Sequence, residues 1–328
     1  MGTLDAYQEL EQRWSQWLEA MGGPPMHCVA CSSGTAALHL GLEALRLPLG
    51  SSVVVPEFTM VACARAVSLA GHIPIFVDCG EDLNLDPDQL DTIPPETKAV
   101  MAVHIYGRRC NMHRIREQTN CFVIEDLAEA HGVLPHRHTD VACWSFYRNK
   151  IVAGEEGGLV AFKTKECADL ARSLRSLGFT PEHNFLHVPR GNNYRMSNAH
   201  AKLVLESFEE LVPNILKRRK IESWYDQNVP GEWKMPPRDT VWVYDVQLPR
   251  TVDTVGVVLE LNQRGVAARL GFRCMSEQPE YRTSSLYKQT VAYDKSRRVI
   301  YLPVSPEMSE VEVIEIVDRF KIAVRRYI

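Results

Sequence analysis

Short, continuous apolar segments alternate with helical stretches along the first half of the chain, and this alternation constrains the fold more than any other feature. Four such segments end in a proline or a polar residue, namely 53–55, 75–77, 100–103 and 122–124. Strands that are apolar throughout, rather than at alternate positions, are typical of a parallel sheet covered by helices on both faces. The sequence therefore predicts an α/β fold with a mainly parallel central sheet between helices.

A change in composition marks a second unit. Residues 230–237 are rich in proline and glycine, and beyond them the pattern predicts a strand, a helix, another strand and a closing helix, at 241–248, 252–264, 299–302 and 309–327. We therefore expect a large domain over residues 1–229, which includes an N-terminal helix, and a small C-terminal α+β domain over residues 230–328. Residues 196–224 read as one long, partly broken helix.

Charge and hydropathy exclude several classes of protein. The formal net charge is −4 at pH 7, which does not indicate a nucleic-acid surface or a polybasic membrane anchor. The N-terminus has no basic segment followed by an apolar one, and no apolar run is long enough to span a bilayer. We therefore expect a cytoplasmic protein that binds neither nucleic acid nor a membrane.

The cysteines do not indicate a metal site. Cys28 and Cys31 have CxxC spacing, but no second such pair or pair of histidines accompanies them. The nine cysteines are scattered, mostly within apolar runs, so small buried side chains are the expected reading. No metal is predicted.

Lys150 and Asp126 are the strongest candidates for chemistry. Lys150 lies between an apolar run and a glycine-rich segment, where its amine could form a Schiff base with an aldehyde, above all pyridoxal phosphate. Most loop lysines are simply solvated charges. Asp126 follows a predicted strand and could either pair with a pyridine nitrogen or cap a helix. Because ligands bind beyond the carboxyl ends of parallel strands, both residues are candidates for one pocket.

A phosphate site is predicted where Ser33, Gly34 and Thr35 begin a helix. Backbone N–H groups at a helix N-terminus attract a dianion, and glycine leaves room for close approach. An ordinary serine cap is the alternative. Ser145, upstream of the lysine, adds a hydroxyl donor.

Six motifs occur in one order, at residues 33–38, 56–59, 103–107, 124–132, 145–150 and 193–198. Together they resemble the DegT/DnrJ/EryC1/StrS family of sugar aminotransferases, most closely its GDP-perosamine synthase-like branch. The resemblance covers nearly the whole chain and implies the fold-type I architecture of pyridoxal-phosphate enzymes.

The resemblance implies a role for each matching residue. Lys150 would hold the cofactor covalently, Asp126 would pair with the pyridinium, and Glu129 would lie near its 3-hydroxyl or the reacting centre. Met60 stands where an aromatic residue usually stacks on the ring, and Ser276 stands where a histidine is common. The implied phosphate ligands are Gly34, Thr35 and Ser145, with Asn193 reaching the phosphate of a partner subunit's cofactor in a homodimer.

Substrate contacts are expected from Arg269, His104 and Tyr147. The Arg269 guanidinium could hold a carboxylate or phosphate, and a structural ion pair is equally open. The implied reaction moves an amino group from an amino acid, L-glutamate by resemblance, to a nucleotide-linked keto sugar at C4, with pyridoxamine phosphate as the intermediate form of the cofactor. The alternatives are amination of another aldehyde or ketone, and a non-catalytic regulator on the same scaffold. A sugar dehydratase would have histidine in place of Lys150.

Overall fold

A seven-stranded sheet forms the centre of the structure, a computed structural model that describes residues 5–180, 185–187, 190–282 and 289–328. The strands cross the sheet in the order β1-β7-β6-β5-β4-β2-β3. Strand β7 is antiparallel to both of its neighbours and the other pairs are parallel, which confirms the predicted mainly parallel sheet. The strands are β1 (His27–Cys31), β2 (Ser52–Pro56), β3 (Ile73–Val77), β4 (Ala99–Val103), β5 (Phe122–Asp126), β6 (Val141–Ser145) and β7 (Gly158–Phe162).

Helices cover both faces of this sheet, as the continuous apolar strands predict. Val53 and Val55 of β2 belong to the same apolar cluster as Leu38, whereas Val54, between them, belongs to a second cluster with Ile115. Successive side chains of a strand point to opposite faces, so both faces need a cover. The helices of this part are α1 (Ala6–Ala20), α2 (Gly34–Ala44), α3 (Val61–Leu69), α4 (Met112–Gln118), α5 (Lys165–Arg175) and α6 (Asn198–Glu209), with a 3-10 turn at Pro87–Thr92.

The single long helix predicted over residues 196–224 is wrong. Two helices occupy this region, because the chain leaves helical geometry at Glu210 (φ −89°, ψ 5°) before α7 (Leu211–Asn228) begins. Pro213 lies in the first turn of α7, where its missing N–H removes no helical hydrogen bond. Pro213 therefore lies at the start of a helix rather than inside one.

A three-stranded antiparallel sheet lies in the C-terminal part, in the order β8-β10-β9. Its strands are β8 (Tyr244–Gln247), β9 (Arg269–Leu270) and β10 (Val299–Leu302), and its helices are α8 (Thr254–Gln263), α9 (Val291–Arg298) and α10 (Glu310–Arg326). One apolar cluster joins Ile300 and Phe320 to Tyr225 of α7, so the end of α7 packs with this sheet. The domain boundary at residue 230 stays a prediction.

Buried charges connect the two sheets. The Asp245 carboxylate, at the start of the second sheet, accepts two hydrogen bonds of 2.9 Å from Arg108, which follows β4, and one of 2.8 Å from Arg238. Asp245 and Arg108 are 0% and 2% exposed. A buried ion pair of this kind is costly to break, because removal of one partner leaves the other charge unpaired in the interior.

None of the helices within the described ranges combines the length and the apolar character needed to span a bilayer.

Candidate active site

A cavity of about 380 Å³ opens beyond the carboxyl ends of β5 and β6, which is where a parallel sheet places its ligands. The three-stranded sheet and its loops close the other side with Trp242, Phe272 and Tyr301. Nine of the predicted residues line this cavity: Ser33, Gly34, Thr35, Met60, Asp126, Glu129, Ser145, Tyr147 and Lys150.

Lys150 points into the cavity from the loop between β6 and β7. Its backbone N–H donates to the Tyr147 carbonyl at 2.8 Å, which closes a turn that aims the side chain inward. The amine lies 3.9 Å from a carboxylate oxygen of Glu129 and 3.7 Å from the ring centre of Trp242. Burial lowers the pKa of Lys150, against the attraction of the Glu129 and Asp126 carboxylates. More of the amine is therefore neutral, as a nucleophile or base requires.

Asp126 ends β5 and faces the same cavity. The segment that follows it is a turn rather than a helix, so the helix-cap alternative is wrong, although the carboxylate does accept the Ala128 N–H at 2.9 Å. The Cys63 thiol donates to the other carboxylate oxygen at 3.4 Å, and Thr59 lies 3.3 Å from that sulfur. Burial raises the pKa of Asp126, and these donors oppose that effect. The carboxylate is thus held in one orientation.

Glu129 lies in the turn that follows Asp126. Its carboxylate accepts the Tyr106 N–H at 2.8 Å, and Tyr106 has a left-handed backbone (φ 51°) that aims this N–H at the glutamate. Burial raises the pKa of Glu129 to about 7, despite the opposing charge of Lys150. Near neutral pH this group can therefore hold or release a proton beside the lysine.

The N-terminus of α2 forms the third wall. Ser33 caps the helix by accepting the Ala36 N–H at 3.1 Å, so the serine-cap reading is correct, and the residue lines the cavity as well. The first N–H groups of a helix have no partner within it, and here Gly34 and Thr35 supply them. A Cβ atom on Gly34 would lie 2.7 Å from the Ser145 Cβ, so glycine is needed for the helix end to meet β6. The result is a cradle for an anion with a hydroxyl beside it.

These three walls fit pyridoxal phosphate. The lysine amine suits its aldehyde, the Asp126 carboxylate suits its pyridinium nitrogen, and the Gly34 cradle suits its phosphate. Met60, 52% exposed, adds a thioether that can pack on an aromatic face.

His104 does not line the cavity, so it does not lie where the predicted contact with substrate requires it to be. The side chain is fully buried, its Nδ1 accepts the Cys110 N–H at 3.0 Å, and its Nε2 lies 2.7 Å from a Glu125 oxygen. Glu125 precedes Asp126 in β5 and so points to the opposite face of the sheet. His104 instead fixes the loop that follows β4.

Two further predicted residues lie outside the cavity lining. Asn193 is exposed, and Arg269 is exposed on β9 in register with Tyr301, which does line the cavity. Ser276 donates its N–H and its hydroxyl to the Glu57 carboxylate at 3.0 Å each. The predicted roles of Asn193 and Arg269 stay predictions.

Sequence reasoning missed the aromatic wall and the Cys63 donor. Trp242 falls within a predicted strand, where an aromatic residue reads as core, and nothing local connects it with Lys150. For Cys63, the one sequence feature that could have indicated a place in the site was its position in the helix that follows Met60. Cys28 and Cys31 are buried in β1, as expected. Among the residues that the structure describes, no group of His, Cys, Asp and Glu side chains is arranged to hold a metal.

Residues 5–321 match the DegT/DnrJ/EryC1/StrS aminotransferase family. GDP-perosamine synthase of Caulobacter vibrioides is 34% identical over 275 residues, 78% of this chain and 74% of that protein. A dTDP-4-dehydro-2,3,6-trideoxy-D-glucose 4-aminotransferase of Saccharopolyspora spinosa is 30% identical over 347 residues, 96% of this chain and 89% of that protein.

A solved structure shares the fold. The crystal structure of NtdA from Bacillus subtilis, with the bound cofactor PMP, superposes with a TM-score of 0.86 and 27% identity, over 98% of this chain and 78% of that one. The chain therefore belongs to the DegT/DnrJ/EryC1/StrS aminotransferase family and is a pyridoxal-phosphate-dependent aminotransferase.

Proposed function

We propose that this enzyme moves the amino group of L-glutamate to C4 of a nucleotide-linked keto sugar. The observation that carries the proposal is the arrangement of one cavity, in which the Lys150 amine, the Asp126 carboxylate and the Gly34 cradle line separate walls. When bound, pyridoxal phosphate supplies an aldehyde that takes up the amino group and a ring that stabilises the charge left by a removed proton.

Lys150 is the proposed acid and base. Its neutral amine would accept a proton from the α-carbon of the donor and would then release it as an acid. Burial lowers the pKa of Lys150, which favours the neutral form needed for the first of these transfers. The Glu129 carboxylate, 3.9 Å from the amine, can pair with the ammonium form.

Asp126 and the α2 terminus would position the cofactor. The hydrogen bonds from Ala128 and Cys63 orient the Asp126 carboxylate, and its negative charge would favour a protonated ring nitrogen. Gly34, Thr35 and Ser145 would bind the phosphate through backbone and hydroxyl groups.

The names of the relatives support the acceptor. One relative is a GDP-perosamine synthase and the other is a 4-aminotransferase of a dTDP-linked dehydro sugar, so a nucleotide-linked sugar with a keto group at C4 is the proposed acceptor. Tyr147 lines the cavity, and Arg269 lies beside Tyr301 at its edge. Both are proposed to contact such a substrate.

The proposal includes a homodimer in the cytoplasm. Asn193 is exposed in the single chain, as expected if it reaches the cofactor of a partner subunit. All nine cysteines fall within the described residues and are free thiols, which is typical of a reducing compartment.

The deciding experiment offers the enzyme ¹⁵N-labelled L-glutamate and a panel of nucleotide-linked keto sugars. Mass spectrometry identifies the sugar that gains the labelled amine, and NMR locates the carbon. We expect one 4-keto sugar to be aminated. A label that appears only on other aldehydes or ketones, or on none, would refute the proposed acceptor.

Attachment at Lys150 is tested separately. Lys150→Ala should lose both turnover and the cofactor adduct that borohydride reduces, whereas Lys163→Ala, at an exposed lysine, should retain both. An adduct that survives in Lys150→Ala would rule out the assigned lysine.

A further inference from the structure

One side chain from the C-terminal part of the chain holds both Lys150 and the residue before it. The indole ring of Trp242 lies with its centre 3.7 Å from the Lys150 amine, and its Nε1–H donates to the Asn149 carbonyl at 2.8 Å. Trp242 is 6% exposed, so both contacts are shielded from water. An ammonium over the face of an aromatic ring is attracted by the ring's electrons, and tryptophan provides the strongest such contact.

The ring is itself fixed in place. Trp242 packs against Tyr106 and Tyr301, with ring centres 6.1 Å away in each case. Its carbonyl accepts a hydrogen bond of 3.0 Å from Arg218 of α7. Three residues later, Asp245 is held by the buried ion pairs between the two sheets. The indole therefore has little freedom to leave the lysine.

We infer that the Trp242 ring holds the protonated amine of Lys150 by a cation–π contact whenever that lysine is not covalently joined to the cofactor. The inference rests on the proposed role of Lys150. In this state the amine stays 3.9 Å from Glu129. The hydrogen bond from Trp242 to the Asn149 carbonyl fixes the backbone next to Lys150, so the side chain stays directed into the cavity. Trp242 is thus a residue of the C-terminal part that positions the base of the main site.

Other groups near this amine also affect the pKa of Lys150, and their effects must be distinguished from that of the Trp242 ring. The Glu129 and Asp126 carboxylates face it from the end of β5 and the turn that follows, and their negative charges favour the ammonium form. The Cys63 thiol of α3 also faces it, and burial raises the pKa of that thiol, which keeps it neutral. His131 lies close enough that the Lys150 charge lowers the pKa of the histidine, after the larger effect of burial. The phenols of Tyr106 and Tyr301 lie beside Glu129. Substitution of Trp242 removes none of these groups.

Loss of the aromatic face should destabilise the ammonium and lower the pKa of Lys150. Contacts of this kind favour the cation by a factor of roughly 2 to 30. This corresponds to a pKa lower by about 0.4 to 1.5 in Trp242→Leu. Trp242→Phe keeps a weaker aromatic face and loses the donor to Asn149, so its pKa should lie between those of the wild type and the leucine variant.

The test measures the amine directly in the full-length protein after removal of pyridoxal phosphate with hydroxylamine. Trace acetic anhydride is added across a pH series with a reference amine, and mass spectrometry measures acetylation of the peptide that contains Lys150. Lys220, exposed and 5.3 Å from the ring centre of Trp224, is an internal control in every sample. Its titration should be the same in all three proteins.

The expected order of the Lys150 pKa is tryptophan, then phenylalanine, then leucine, from highest to lowest. A Trp242→Leu protein with an unchanged or higher pKa would overturn the inference. If that variant does not fold, as judged by its thermal midpoint, a Trp242→Phe protein that titrates like the wild type overturns it equally. The labelling needs neither cofactor nor substrate, so failure of the proposed acceptor would leave the titration intact and would be seen only in the product assay.

Discussion

Replacement of Glu129 by glutamine tests how strongly the interior acts on a charge beside Lys150. The glutamate side chain is buried, and its carboxylate accepts the Tyr106 N–H at 2.8 Å. The amide oxygen of glutamine can accept the same hydrogen bond, so the substitution retains shape and contact. What it removes is a group that titrates.

The magnitude follows from the pKa of Glu129. Burial raises this pKa from 4.5 to about 7, a value that already includes the opposing attraction of Lys150. Between these two pH values the folded protein binds more protons than the unfolded chain, so its stability falls as the pH rises. Above pH 7 the ionised carboxylate costs about 2.5 × 1.36, or about 3 kcal/mol, and below pH 4.5 it costs almost nothing.

The assay is urea unfolding of the cofactor-free wild type and Glu129→Gln at pH 5 and pH 8. Both proteins are used at one fixed concentration, because the unfolding of an oligomer depends on concentration. Most of the titration lies between these pH values, so the stability of the variant relative to the wild type should increase by roughly 2 to 3 kcal/mol from pH 5 to pH 8. Equal differences at the two pH values would refute the argument that burial sets this pKa.

Three further changes test the walls of the cavity and the link between the sheets. Cys63→Ala removes a hydrogen-bond donor to Asp126 and should raise the dissociation constant of pyridoxal phosphate about fivefold in an absorbance titration. Cys63→Ser retains a donor and should not raise it. Equal affinities in both variants would contradict the role of Cys63 as a donor to Asp126. Gly34→Ala places a methyl group 2.7 Å from a neighbouring side chain and should weaken cofactor binding more than tenfold, whereas Gly231→Ala, which meets no atom within 4 Å, should leave it unchanged; a Gly34→Ala protein with full affinity would argue against the phosphate cradle. Asp245→Asn leaves the buried Arg108 guanidinium without a carboxylate partner, whereas Arg238 keeps that of Glu222 at 3.0 Å, and should lower the free energy of unfolding by about 3 to 5 kcal/mol in urea titrations; a loss below 1 kcal/mol would contradict a buried ion pair.

Local patterns were enough to predict the large sheet and the centre of the site. Strand β4 was predicted to begin at residue 100 and begins at Ala99. The prediction is close because a strand buried on both faces is apolar at every position. Asp126 and Lys150 were predicted to share a pocket because strand ends of a parallel sheet meet at one edge. Both inferences need only the immediate sequence.

The errors and omissions have a physical cause in tertiary contacts. His104 and Asp126 look alike in sequence, since each is a polar residue at the end of an apolar strand. The alternation of β5 decides between them, because Glu125 engages His104 on the face away from the cavity. The Trp242 contact joins residues 93 positions apart, and the Arg108–Asp245 pair joins residues 137 apart. No periodicity within a segment reports on such distances.

The crossing of two chain segments at the start of α2 has a consequence for ligand entry. A Cβ atom on Gly158 would lie 2.2 Å from the Ser33 carbonyl oxygen, and one on Gly34 would meet Ser145. The two segments are therefore closely packed at this corner. The N–H groups at this corner consequently point outward before any anion arrives. An arriving phosphate has no loop to order, and its binding loses little conformational entropy. A phosphate site that is already formed can bind either form of the cofactor in turn, without rearranging between the two halves of a catalytic cycle.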